Sequence, residues 1–222
     1  LLENVRERNM SATFRLDRAN STLFDGTERQ FDPVARRWKP TGTTARPDAL
    51  EVVDAVAAVS WLQRESSHPL RVPIGVVGPR EATDAQLAAA LEVGELLGDC
   101  RLTVICGGRQ GVMQAVCEGV ARVGGLSIGL LPETDPAAAN PYVGVAIATG
   151  IGEARNALIA RASFCLIAIG DSFGTLSEVA LGRQFGKLVI GLEGAPDVEC
   201  MRHVDTAREA VAMAAEAILG VT

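Results

Sequence analysis

From residue 72 onward the chain alternates short, almost uninterrupted apolar runs with segments of helical periodicity, and no other feature limits its fold as strongly. The runs lie at 72–77 (VPIGVV), 102–106 (LTVIC), 126–131 (LSIGLL), about 143–148 (VGVAIA), 164–169 (FCLIAI) and 187–192 (KLVIGL). Runs of this length without polar alternation suit parallel strands covered on both faces. Helices are predicted between most of them, at about 84–97, 111–123, 153–162 and 174–185, with a last one at 205–218. Alternation of this kind builds right-handed βαβ units, hence a doubly wound α/β fold whose mainly parallel sheet has helices on both faces.

Residues 1–46 have another texture: polar, Arg-rich and turn-rich, with three of the six phenylalanines. Segments 12–16 (ATFRL) and 22–24 (TLF) read as short strands, Asp25-Gly26 as a hairpin turn, and 29–38 (RQFDPVARRW) as the returning strand. Pro33 marks that strand as interrupted or at an edge. Pro47-Asp48 then opens a helix over 48–64, with Leu50, Val53, Ala57 and Trp61 at helical spacing. The expected organisation is a hairpin-plus-helix extension, 1–70, packed on a ligand-binding domain, 71–222.

With 222 residues and 48% hydrophobic content the chain can bury a full core without disulfides or a structural metal. Net charge is 21 − 27 = −6, and no Lys/Arg block interrupts it. That balance argues against nucleic acid, whose binders present a basic face; Arg36, Arg37 and Lys39 read as a solvated hairpin. The five cysteines are odd in number and scattered without a Cys-x-x-Cys pair, as in a reduced cytosolic protein. His68 and His203 stand alone and are given no role. No run of about 18 apolar residues suggests a membrane span, and LLENVRERNM places charges where a signal peptide would be apolar. The expected location is the cytoplasm.

In an open parallel sheet, ligands bind beyond the carboxyl ends of the strands, and four junctions there are informative. In Gly78-Pro79-Arg80-Glu81-Ala82-Thr83, Gly78 allows close backbone approach and Arg80 can reach a ligand, while Thr83 and Gln86 form a capping box. A plain strand–turn–helix explains this loop equally well. Gly107-Gly108-Arg109-Gln110-Gly111 opens the next helix, where small residues let backbone N–H groups and the helix dipole converge on an anion. Turn geometry alone is the competing reading. In Gly152-Glu153-Ala154-Arg155-Asn156, Arg155 shares a helical face with Leu158, Ile159 and Ala162. That face reads as the buried one, so the guanidinium points inward and needs an anionic partner, a phosphate or Glu178; a surface arginine is the alternative. In Gly170-Asp171-Ser172-Phe173-Gly174-Thr175-Leu176-Ser177-Glu178, Thr175 and Glu178 read as a capping box, which would leave Glu178 no further duty.

Taken together, Gly152-Glu153-Ala154-Arg155-Asn156 and Gly170-x-x-x-Gly174-Thr175-Leu176-Ser177-Glu178 resemble the signature of the LOG superfamily. That group includes cytokinin-activating phosphoribohydrolases, molybdenum-cofactor carrier proteins and the more distant DprA proteins. Gly107-Gly108-x-x-Gly111-Val112-Met113 is similar to an earlier element of the family. The Arg155-Asn156 pairing and the Gly174-Thr175-Leu176-Ser177-Glu178 wording look closest to the molybdenum-cofactor-carrier-like branch. The resemblance covers about 72–192. It implies a Rossmann-like fold, a homo-oligomer of two or four subunits, and a phosphate site built from the glycine loops. It carries ligand contacts onto Gly78, Arg80, Gly107, Gly108, Gly111, Arg155, Asn156, Gly170, Gly174, Thr175 and Glu178, with no metal ligand among them. In the hydrolase branch the catalytic pair would be Arg155 and Glu178. That branch has Arg-Lys where Arg155-Asn156 stands here, and Pro-Gly-Gly where Gly170-Asp171-Ser172 stands.

Three functions follow from the resemblance. The first is binding, carriage or sensing of a phosphate-bearing nucleotide-like molecule or a pterin such as molybdenum cofactor, with no cofactor required for folding. The second is hydrolysis of a nucleoside 5′-monophosphate to free base, for which a carboxylate beside a ribose carbon is suitable chemistry. The third is DprA-like nucleic-acid binding, which the acidic charge opposes. The expected site is one electropositive pocket where the glycine turns meet, with Arg155 and Glu178 in its wall.

Overall fold

In a computed structural model the structure describes residues 12–26, 29–41 and 50–221. The chain divides into two compact units, 1–69 with 214–222 and 70–213.

The first unit is an antiparallel sheet of β1 (Thr13–Asp17), β2 (Thr22–Asp25), β3 (Arg29–Asp32), β4 (Arg37–Pro40) and β5 (Glu51–Asp54), in the order β4-β3-β2-β1-β5, with helix α1 (Ala55–Arg64). Alternation along β1 turns Phe14 and Leu16 inward, where they bury with Leu23, Phe31, Val53 and Trp61. Trp38 lies flat on Phe14 at 5.6 Å between ring centroids, and its indole N–H donates to the Leu219 carbonyl at 2.7 Å.

Two sequence expectations fail in this unit. The returning strand 29–38 is two strands, because the Asp32 carboxylate accepts the N–H groups of Val34 and Ala35, turning the chain at Pro33. Arg36 completes the reversal at φ 49°. The predicted helix 48–64 begins only at Ala55: Asp54 is its N-cap, accepting from Ala57 N–H at 2.8 Å. Val53, read as part of the helical spacing, instead pairs with Phe14 in the sheet. Pro47 and Asp48 lie outside the described residues.

The second unit is a seven-stranded parallel sheet, β12-β11-β10-β6-β7-β8-β9. Its strands are β6 (Ile74–Val77), β7 (Val104–Cys106), β8 (Ser127–Leu131), β9 (Val145–Ala148), β10 (Leu166–Ile169), β11 (Val189–Leu192) and β12 (Arg202–His203). Every residue of β6, β7, β10 and β11 is buried, which accounts for the unbroken apolar runs. The helices are α2 (Asp84–Asp99), α3 (Val112–Arg122), α4 (Asn156–Ala162) and α5 (Phe173–Gln184); α6 (Ala207–Leu219) starts in this unit, and its residues from 214 on belong to the first. The doubly wound α/β expectation therefore holds.

Strand order fixes where a ligand can enter. From β6 the chain runs through α2 to β7 on one side, whereas from β10 it runs through α5 to β11 on the other. With right-handed crossovers the two helices fall on opposite faces, leaving a crevice at the carboxyl ends of the neighbouring strands β6 and β10. The loops beginning at Gly78 and Gly170 border it.

Among the described residues no helix is long and apolar enough to cross a membrane. None of the cysteines is in a disulfide; four are buried and Cys200 is exposed.

Candidate functional site

A cavity of about 760 Å³ lies at this crevice. Its wall takes Gly78 to Glu81 from the loop after β6, Glu153 and Arg155 from the turn before α4, Asn156 from the start of α4, and Asp171 to Thr175 with Ser177 and Glu178 from the loop and first turns of α5; Met113 of α3 completes it. Of the residues singled out in the sequence, Gly78, Arg80, Arg155, Asn156, Gly174, Thr175 and Glu178 meet here.

Gly107, Gly108, Gly111 and Gly170 do not line the cavity; Gly107 and Gly111 pack against residues of its wall, whereas Gly108 packs on Gly129 and Leu131 and Gly170 on Gln86. A Cβ on Gly107 would stand 2.6 Å from Arg155 Nη2 and 2.7 Å from Met113 Sδ, so the missing side chain is what seats the guanidinium. Gly111, at φ 69°, brings α3 so close that a Cβ would meet the Arg80 carbonyl oxygen at 2.3 Å. The next residue, Val112, donates its N–H to the Pro79 carbonyl. Glycine freedom thus serves the joining of two loops, and this backbone N–H is already engaged with protein.

Arg155 points inward, with only 5% of its side chain exposed. A buried helical face shared with Leu158, Ile159 and Ala162 is not what turns it inward. Residues 152–155 form a 3-10 turn ahead of α4, and on α4 Leu158 and Ala162 are exposed while Asn156, Ile159 and Ala160 are buried. Arg155 Nη1 donates to Asn156 Oδ1 at 2.6 Å and to Glu178 Oε1 at 3.3 Å. Asn156 Nδ2 in turn donates to Ser177 Oγ at 2.9 Å, tying the arginine to α5. Arg155 Nε is buried with no hydrogen-bond partner among the described residues.

Glu178 is not a capping residue. Ser172 caps α5, accepting from Thr175 N–H at 3.1 Å, so the helix starts at Phe173 and Glu178 falls in its second turn, out of reach of the first N–H groups. Its side chain lies in the cavity wall, 7% exposed. Burial pushes its carboxyl up to about 8; the neighbouring Arg155 opposes this and Glu153 adds to it. Desolvation outweighs the guanidinium because the 3.3 Å contact is a single, long hydrogen bond.

The expected electropositive pocket is not what the side chains make. Against Arg80 and Arg155 stand Glu81, Glu153, Asp171 and Glu178. The wall is mixed, with guanidinium groups and backbone at the α5 N-terminus for an anion, and carboxyl groups for hydrogen-bond donors. Glu153, which the sequence reading quoted without a role, bridges the two arginines: its carboxylate is 3.2 Å from Arg80 Nη2 and 3.9 Å from Arg155 Nη2. A charge alternating arginine–glutamate–arginine across two distant loops has no signature in local spacing, so only the fold could reveal it.

A parallel α/β sheet with its cavity at the reversal of strand order defines the Rossmann-like class. Within that class the chain belongs to the SLOG cluster4 family, whose pattern matches residues 71–218. An uncharacterized protein of Archaeoglobus fulgidus is 38% identical over 138 residues, covering 62% of this chain and 91% of that one. The molybdenum cofactor binding protein of the phototrophic bacterium Rippkaea orientalis is similar in structure, with 32% identity and a TM-score of 0.64 over 67% of this chain and 99% of its own. The molybdenum cofactor carrier protein of Chlamydomonas reinhardtii is similar at 32% identity and a TM-score of 0.61, over 68% of this chain and 99% of its own.

Proposed function

We propose that the protein binds a phosphate-bearing heterocyclic cofactor in this cavity, a pterin such as molybdenum cofactor or a nucleotide-like molecule, for carriage or sensing. The observation that carries this reading is the buried Arg155–Glu178 pair in the cavity wall: an arginine with an unpartnered Nε beside a carboxyl that burial keeps protonated near neutrality. The guanidinium suits the phosphate. The carboxyl, able to donate and accept when protonated, suits the amide-like edge of a pterin or purine. A volume of about 760 Å³ is of the size that accepts one such molecule. The names of the Rippkaea and Chlamydomonas relatives support the same choice. In this reading Gly78, Arg80, Asn156, Gly174 and Thr175 contact the ligand, and Gly107 and Gly111 act through the wall residues they pack against.

The test is thermal unfolding with AMP, GMP and a phosphorylated pterin. A ligand at 100 times its Kd should stabilise the wild-type protein by about 2.7 kcal/mol, a rise of roughly 5–10 °C for a chain of this size. Arg155→Ala should abolish the rise. A response of equal size in the variant would remove the cavity from consideration.

Hydrolysis is the second reading, favoured by the same carboxyl in the wall. Incubation with AMP is expected to release no adenine. Release that disappears in Glu178→Ala would establish a phosphoribohydrolase instead. Assembly into a homo-oligomer also belongs to this proposal, supported by the exposure of Leu158 on α4 and Phe173 and Leu176 on α5.

A further inference from the structure

The ion-pair relay at the cavity mouth bears on how an anion would enter. Arg80 and Arg155 come from loops far apart in sequence, and the carboxylate of Glu153 sits between them, with Oε1 3.2 Å from Arg80 Nη2 and Oε2 3.9 Å from Arg155 Nη2. All three line the cavity. The two ends of this relay differ in environment. Arg155 is 5% exposed and fixed by Asn156 and Glu178, whereas the Glu153 side chain is 64% exposed. The 3.9 Å separation is also too long for a hydrogen bond. A solvated carboxylate in such a pair is held weakly and exchanges readily with water. Glu153 belongs to a single 3-10 turn, Gly152–Arg155, whose backbone is held by the Gly152 N–H donating to the Pro132 carbonyl at 3.1 Å, so displacement needs only its exposed side chain to swing away.

Resting on the cofactor-binding reading above, we propose that the Glu153 carboxylate is a displaceable stand-in for the ligand's anionic end, and that a phosphate monoester takes its place between the guanidinium groups of Arg80 and Arg155. A dianionic phosphate has three terminal oxygens to share between two guanidinium forks and gains more from them than one carboxylate does. Arg155 is preorganised to receive it, because Asn156 and Glu178 fix the guanidinium through Nη1 and Nη2 is the nitrogen nearest the Glu153 carboxylate. A neutral or cationic ligand end gains nothing by displacing Glu153, so the relay selects for anions. The same carboxylate lowers affinity for any anion too weak to expel it, such as acetate.

Isothermal titration of the full chain with inorganic phosphate tests this. Glu153→Gln, which removes the competing charge from an exposed position, should bind phosphate at least tenfold more tightly than wild type. Glu153→Asp keeps the charge and should stay within about threefold of wild type. Equal or weaker phosphate binding by Glu153→Gln would overturn the proposal. So would equal tightening by Glu153→Asp, which would trace the effect to a loosened turn. If that pattern fails while AMP or a pterin phosphate still stabilises the wild-type protein through Arg155, the stand-in role is wrong and the cofactor reading survives. If no phosphate-bearing ligand binds any of these proteins, both fall.

Discussion

Replacing Gly119 by leucine is expected to destabilise the protein by about 3 kcal/mol or more, lowering its midpoint of unfolding by roughly 6–12 °C. Helices α2 and α3 approach through backbone at this residue. A Cβ on Gly119 would lie 2.1 Å from the Leu91 carbonyl oxygen and 2.9 Å from Glu95 N, and one on Gly94 would lie 2.3 Å from the Val116 carbonyl oxygen. The atoms met are backbone, which no change of rotamer can remove, so any side chain at Gly119 must push the helices apart. Leucine does gain about 1 kcal/mol of helix propensity over glycine, but forced separation of a packed pair is the larger effect. Scanning calorimetry checks it, with Ala85→Leu at an exposed position of α2 as control, expected within about 0.5 kcal/mol of wild type. The site should suffer too, because the start of α3 is bonded to Pro79 and clamped against Arg80 through Gly111. The stabilisation by a bound nucleotide should shrink in Gly119→Leu even well below its melting temperature.

The parallel body was readable because it obeys one dominant rule. Strands buried on both faces give unbroken apolar runs, and all six predicted runs became strands. Their starts were placed too early: Val72 and Pro73 precede β6, with Val72 43% exposed, and Leu102 and Thr103 precede β7. An apolar run does not mark where strand pairing starts, since an exposed valine such as Val72 extends it as readily as a buried one. The capping box of Thr83 and Gln86 was equally readable because both partners lie within one turn. In the first unit the decisive interactions were short-range but polar. The Asp32 carboxylate turned a predicted strand into two, and Asp54 set the start of α1. Apolar spacing carries no trace of either.

The site was legible in its residues and not in their duties. Arg155 and Glu178, 23 positions apart, are brought together by a crossover, and the seat for the guanidinium is the absent side chain of Gly107 in a third segment. Sequence spacing could propose that these residues matter. It could not show that Gly107 and Gly111 serve to join wall segments, nor that carboxyl groups outnumber guanidinium groups around the cavity. The N-cap of α5 illustrates the same limit. Ser172 and Thr175 are both good capping residues three positions apart, and only the path of the backbone selects Ser172.

Glu178→Gln is expected to remove a pH dependence of stability that the wild-type protein shows between about pH 4.5 and 8. The sign follows from the carboxyl's elevation to about 8 by burial, against an ordinary 4.5. Below 4.5 both folded and unfolded chains hold the proton, and the group is neutral in its influence on pH dependence. Between the two values the folded protein holds a proton that the unfolded chain has released, so stability falls as pH rises; above 8 both have lost it and the curve levels. At about 1.4 kcal/mol for each pH unit, the full decline approaches about 5 kcal/mol. Glutamine keeps the shape and an acceptor for Arg155 but cannot ionise, so the variant should match wild type within about 1 kcal/mol at pH 5 and exceed it by several kcal/mol at pH 8.5. Denaturant unfolding at these two values measures the difference, and parallel curves for the two proteins would refute it. The same proton governs the anion site. While Glu178 is neutral, the buried charge of Arg155 is balanced only by the solvated, displaceable Glu153 carboxylate and draws phosphate; once Glu178 ionises, the buried pair is self-compensated. Phosphate becomes dianionic above about pH 6. Affinity for a phosphate monoester should therefore be greatest between about pH 6 and 8 and fall beyond it in wild type, whereas in Glu178→Gln it should persist into the alkaline range.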